Sequence, residues 1–227
     1  MQGSVGDCYL LSAVAALAED NRRISALFGD TKMNPHGIYM ARIMHLGNIR
    51  EVVVDDYVPV NESGQPLFAK PIGGRQVWIM LLEKCWAKLN GGYGEIVGGL
   101  PNEALHAFSG APTYSVDIPK GADKQEELWR RLGQAQGQGA VMCAATRNSD
   151  GVERSGLVRG HAYSVVQFKL GSLRSTNLPS EWSDYETPGL RDSGQDEQQK
   201  VTTASGAVSP LLTGRTWVLP PTTRALS

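Results

Sequence analysis

The stretch Gln2-Gly3-Ser4-Val5-Gly6-Asp7-Cys8-Tyr9-Leu10-Leu11-Ser12-Ala13-Val14-Ala15-Ala16-Leu17 decides how the rest of the chain is read. Its first part is turn-prone, with glycines at 3 and 6, and its second part is rich in Ala and Leu, which have high helix propensity. Cys8 stands at the junction. The pattern predicts a helix from Cys8 to about Glu19, ending near Asp20-Asn21, with the cysteine at its N-terminus. Leu11, Val14, Ala15 and Ala18 fall on one face, and the helix is expected to be largely buried. A helix N-terminus carries partial positive charge and favours an anion, so a sulfur there is readily held as the thiolate, the nucleophilic form. Gln2, on the glycine-flanked loop, can bring a side-chain amide donor towards the same sulfur. A nucleophile with a fixed donor is the minimum for acyl transfer through an oxyanion. The remaining need is an imidazole, and Gly160-His161-Ala162-Tyr163 offers one.

At 227 residues the chain is long enough to bury a sizeable core as one domain or two small lobes. An apolar content of 41% with 20% charged residues reads as soluble and globular. The net charge of -1 gives no broad basic footprint for nucleic acid or an anionic membrane. No apolar run reaches the roughly 20 residues that a membrane span requires, and the Ala/Leu stretch after Cys8 lacks the layout of a signal peptide. The default expectation is therefore a cytoplasmic protein. Its three cysteines, Cys8, Cys85 and Cys143, are odd in number and show no CxxC spacing, which argues against a disulfide framework and a structural zinc site.

Two extended segments, Ile38 to Ile43 and Ile49 to Val54, form a hairpin-like pair across residues 44–48 and end at Asp55-Asp56. Asn61 to Gly74, with its Gly and Pro, is expected to be a surface loop. Trp78, Leu81, Leu82, Cys85, Trp86 and Leu89 recur with helical spacing and stop at Asn90-Gly91-Gly92, which predicts an amphipathic helix with Cys85 in its apolar stripe. Asn102 to Phe108 and Asp123 to Gln136 read as two more helices, the second with Asp123 as cap and Leu128 and Leu132 inward. The run Ala140 to Ala145, containing Cys143, reads as a buried strand, and His161 to Phe168 as another. His36, His45 and His106 have no comparable context and are assigned to the surface or to loops. Residues 186–227 are rich in Gly, Ser, Thr, Pro and Gln without periodicity and are expected to form a weakly ordered tail.

Four blocks, in order, resemble the calpain-type cysteine proteases. Gln2 to Leu11 is similar to their nucleophile segment, and Val52-Val53-Val54-Asp55-Asp56-Tyr57-Val58-Pro59 to a valine-rich strand ending in paired aspartates. Trp78 to Tyr93 with Gly98-Gly99 resembles the long helix and glycine hinge that close the first lobe, and Gly156 to Ser164 the histidine motif. The resemblance implies an α+β, papain-like two-lobed fold, with a helical Cys lobe over 1–99, a β-rich His lobe over 100–185 and the tail over 186–227. It also implies Cys8 as nucleophile, His161 as general base and Gln2 as oxyanion donor. Calpains carry an Asn-Pro-Trp-Gly block after the histidine strand. The nearest text here is Ser175-Thr176-Asn177-Leu178-Pro179-Ser180-Glu181-Trp182, which makes Asn177 the candidate for the third catalytic residue.

Calcium enters only through the same resemblance. The family's upstream calcium-binding aspartate has no counterpart ahead of Gln2, and a family glutamate is replaced by Gln76, a weaker calcium ligand. Asp55 and Asp56 read as the polar end of a strand, so no metal ligand is assigned. The implied activity is intracellular endopeptidase action on protein substrates, with no nucleic-acid partner, and nothing in the pattern sets the oligomeric state. The alternative is a catalytically impaired calpain-like regulatory or interaction protein, motivated by the altered text after His161.

Overall fold

A computed structural model of the chain describes Gly3, residues 6–71, 77–148 and 157–169, and the backbone of residues 204–205 and 215–218. Helix α1 spans Cys8–Ala18 and is followed by a short α2 at Asn21–Ser25. Strands β1 (Ile38–His45) and β2 (Asn48–Asp55) pair antiparallel from Ile38 with Asp55 to His45 with Asn48. Their turn is only two residues long. Leu46 (φ 49°) and Gly47 (φ 77°) both adopt the left-handed region that the right-handed twist of a tight hairpin requires. Helix α3 (Trp78–Asn90) ends at Gly91, whose φ of 105° closes the helix with its N–H on the Ala87 carbonyl. A 3-10 turn at Tyr93–Ile96 leads to α4 (Pro101–Ser109), which ends at Gly110 in the same left-handed way.

The second half contains β3 (Tyr114–Asp117), α5 (Ala122–Gly137), β4 (Met142–Ala145), β5 (Ala162–Val165) and β6 (Phe168–Lys169). Two further strands, β7 (Ala204–Ser205) and β8 (Arg215–Val218), come from the distal part of the chain. The four-stranded sheet has the order β3-β8-β4-β5, and all its pairings are antiparallel. Strand β6 pairs in parallel with β7.

One core joins the two halves. Leu10, Leu17, Leu82, Ile96 and Leu105 from the N-terminal part are each at most 1% exposed, and they share their cluster with Val141, Cys143 and Ala162 from the sheet. Burying a side chain of this size stabilises the fold by about 1.5–3 kcal/mol. A smaller cluster places Leu128 and Leu132 of α5 over Met142 of β4. Helix α1 is central, touching α2, α4, β4 and β5.

That centrality explains why α1 is largely buried, as expected, and corrects one position. Ala15 is exposed, whereas Leu11 and Val14 of the expected face are buried, as are Tyr9, Leu10, Ser12, Ala13, Ala16 and Leu17. A helix covered on several sides has no single apolar stripe, so helical spacing alone does not pick out the one exposed residue. Asp123 is likewise not the cap of α5; Gly121 holds that position, and no side chain caps the helix. Helix α2 and strand β3 were absent from the sequence reading, which also expected one strand over His161 to Phe168 where two stand. Within 186–227, where no periodicity is visible, the backbone places Arg215–Val218 as an inner strand between β3 and β4. Four residues carry too little pattern to announce a strand.

Candidate active site

Cys8 is the first residue of α1 and is half-buried. The backbone carbonyl of Asp7 accepts from the N–H groups of Leu10 (2.9 Å) and Leu11 (3.1 Å), which fixes the first helical turn beneath the sulfur. The loop that feeds the helix is held by close backbone approaches. The Gly6 carbonyl accepts from Gly98 N–H at 2.8 Å, and a Cβ on Gly3 would collide with the carbonyl oxygens of Leu67 and Phe68. Glycine at 3 is thus a packing requirement. Gly99 meets a similar demand, since a Cβ there would lie 2.6 Å from the Tyr9 ring. Tyr9 in turn accepts a hydrogen bond on its hydroxyl from Trp86 Nε1 at 3.0 Å, which joins α1 to α3.

His161 directly precedes β5 and follows Gly160, whose φ of 59° turns the chain sharply into the strand. Thr146, at the end of β4, clamps its backbone. Thr146 N–H donates to the His161 carbonyl at 3.0 Å, and His161 N–H donates to Thr146 Oγ1 at 3.1 Å. The imidazole meets Tyr163 edge-on, with ring centroids 4.8 Å apart and planes at 80°. Tyr163 is itself anchored, its hydroxyl accepting from Val158 N–H at 2.8 Å.

Cys8 and His161 line one cavity of about 340 Å³, walled by the chain around Gly99–Pro101 and by Ala145–Asn148. A larger cavity of about 800 Å³ lies between α2, β1 and α3, and neither cysteine nor histidine lines it. The thiol and the imidazole predicted from sequence are therefore brought to the same cleft. Gln2, Asn177 and Gln76 lie outside the described residues. The other thiols are core groups: Cys85 and Cys143 are 0% exposed, and burial pushes each thiol up to about 12. Such thiols stay protonated and inert.

Asp55 forms an ion pair with Lys84, whose proximity lowers its pKa, and Lys84 also donates to the Asp55 and Tyr57 carbonyls. The strand end is thus tied to α3. Among the described residues no three His, Cys, Asp or Glu side chains converge as metal ligands. No described helix is long and apolar enough to cross a membrane.

Two groups that hold His161 were missed by sequence reasoning. Tyr163 is two residues from His161, and the two-residue period of a strand puts both on one face. That signal was available. Thr146 gave none, because a threonine at a strand end reads as solvent-facing.

Sequence comparison agrees with this geometry. The profile of the calpain family cysteine proteases matches residues 1–179. The chain belongs to the calpain family. It is 34% identical over 191 residues to the calpain-type cysteine protease DEK1 of Arabidopsis thaliana, covering 81% of this chain and 9% of that protein. To DEK1 of Zea mays it is 36% identical over 174 residues, covering 74% and 8%. To human Calpain-14 it is 35% identical over 168 residues, covering 73% and 24%. The chain thus spans at most about a quarter of the length of these three curated relatives.

Proposed function

We propose that this chain is the protease core of a cysteine endopeptidase that acts on protein substrates inside the cell, in the cytoplasm. The carrying observation is the shared cavity that sets Cys8, at a helix N-terminus, across from His161. The division into a helical Cys lobe (1–99) and a β-rich His lobe (100–185), papain-like in arrangement, is part of the same reading. It is supported by the helical surroundings of Cys8 and the sheet that carries His161.

In this mechanism the Cys8 thiolate attacks the scissile carbonyl carbon and the carbonyl π electrons move to oxygen. The oxyanion is stabilised by the Gln2 amide. Collapse of the tetrahedral species expels the amine, which takes its proton from the His161 imidazolium. A thioester remains on Cys8. His161 then removes a proton from water, the hydroxide attacks the thioester, and the carboxylic acid leaves as the thiolate returns. Asn177 is assigned the orienting contact to the second imidazole nitrogen. The edge-on Tyr163 ring supports that orientation from another side. No step uses a metal.

The reading is tested by cleavage of an unfolded protein substrate, with Cys8→Ala as control. Cleavage lost in Cys8→Ala is the expected result; cleavage equal in both would refute the assignment. A second reading, a catalytically impaired calpain-like regulatory or interaction protein, is favoured by the replacement of Asn-Pro-Trp-Gly with text around Asn177. A folded wild-type chain that cleaves nothing would select it.

A further inference from the structure

Asp7 is 0% exposed and Glu83 is 2% exposed, which sets them apart from the other carboxyl groups of the described residues. Asp7 stands at the N-cap of α1, yet its side chain makes no capping bond. Asp20 shows the ordinary behaviour: at the N-cap of α2 its carboxylate accepts from Arg22 N–H at 3.0 Å. The Asp7 carboxyl instead turns inward to Glu83 on α3. Glu83 already accepts from Ala69 N–H, with both oxygens 3.0 Å from that nitrogen.

Two ionised carboxylates cannot hydrogen-bond each other, and among the described residues neither buried Asp7 oxygen has a hydrogen-bond partner. A proton on Glu83 resolves this. Its O–H then donates to Asp7, while its other oxygen accepts from Ala69. Burial raises the pKa of both groups, and the bond between them lowers Asp7 and raises Glu83 further, which puts the shared proton on Glu83. Among the described residues, Tyr9 of α1 and Tyr93 of the 3-10 turn feel the pair, and burial raises both.

We propose that Asp7 and Glu83 form a buried proton-sharing pair that fixes the first turn of α1 and so positions Cys8 for attack. Both are positioning residues, and the proposal rests on the reading of Cys8 as nucleophile. The geometry gives the route. The Asp7 backbone carbonyl holds the first turn through Leu10 and Leu11, and its buried side chain faces Glu83 of α3. Glu83 is locked to Ala69, next to the Leu67 and Phe68 carbonyls against which Gly3 packs. One short segment thus supports both the nucleophile turn and the loop leading into it. A displaced nucleophile is costly, since misplacement by about 1 Å can lower a rate about 100-fold.

The test uses the full chain and the variants Glu83→Gln, Glu83→Leu and Asp7→Asn. Infrared spectroscopy at pH 7 looks for the C=O stretch of a neutral carboxylic acid, and iodoacetamide labelling reads the rate at Cys8 independently of turnover. The wild type is expected to show the neutral-acid band, and Glu83→Gln to lose it. The Gln amide can still donate to Asp7 and accept from Ala69, so Cys8 labelling stays within about threefold. Glu83→Leu, folded by circular dichroism, is expected to label about tenfold or more slowly. Should Glu83→Leu fail to fold, Asp7→Asn decides: the Glu83 band survives but titrates away at lower pH once the neighbouring charge is gone. No neutral-acid band in the wild type, wild-type labelling in folded Glu83→Leu, or an unmoved midpoint in Asp7→Asn would overturn the pair. Failure of the protease reading is separate, because it shows as absent cleavage by the wild type while band and labelling still decide this proposal.

Discussion

Cys8 and His161 face one cavity but are held by different physics. Cys8 sits on a helix buried on most sides by side chains, with Leu10, Leu17, Leu82 and Leu105 in one core. His161 is held by backbone hydrogen bonds to Thr146 and by the edge of Tyr163, on a sheet whose inner strand β8 arrives from residues 215–218. Damage to the first support should appear mainly as lost stability. Damage to the second should appear mainly as lost geometry at the imidazole.

Leu82→Ala gives the largest expected effect on the Cys side. Leu82 is 0% exposed, and deleting such a side chain destabilises by about 2–5 kcal/mol. Chemical denaturation measures it, and the Cys8 labelling rate per folded molecule should hardly change. A smaller stability loss with a collapsed labelling rate would mean that the core positions the thiol directly.

Glu83→Gln should act in the opposite direction. Burial and Asp7 push the Glu83 carboxyl from an ordinary 4.5 up to about 9, so the folded chain binds a proton that the unfolded chain releases. The stabilisation from that uptake is full below about 4.5 and is lost as pH rises towards about 9. At pH 7 the loss is on the order of 3 kcal/mol. A neutral Gln escapes this, so thermal unfolding of the variant should weaken less over that range than that of the wild type. Parallel pH profiles would contradict the shared proton.

Thr146→Val removes the hydroxyl that accepts from His161 N–H, a cost of about 1–3 kcal/mol. Here cleavage should fall more than stability does. Tyr163→Phe should matter least, because it keeps the ring edge on the imidazole and loses the hydroxyl that accepts from Val158 N–H, about 1 kcal/mol. If Tyr163→Phe disables cleavage while Thr146→Val does not, the His side depends on the tyrosine hydroxyl rather than the strand clamp.

The same contrast explains what the sequence made legible. Helix α3 announced itself because Trp78 to Leu89 repeat on one face, and Cys85 fell in the core as that pattern requires. Strands β1 and β2 were visible for a similar local reason. The Cys–His pairing was legible through motif order, and both residues do line one cavity. The burial of α1 was misread at Ala15 because contacts from α2, α4, β4 and β5 override a single stripe. Glu83 was missed because its partner Asp7 is remote in sequence, and burial of one acid is intelligible only beside the other. Strand β8 depends on pairing with β3 and β4, and long-range pairing leaves little trace in four residues.

The central claim is that Cys8 is a nucleophile activated by His161. It is tested most directly by reacting the full chain with a thiol-directed epoxide and mapping the modified peptide in wild type, Cys8→Ser and His161→Ala. The account predicts stoichiometric modification at Cys8, none in Cys8→Ser, and strongly slowed modification in His161→Ala with the fold intact. Equal labelling of wild type and His161→Ala, or labelling that persists in Cys8→Ser, would contradict it.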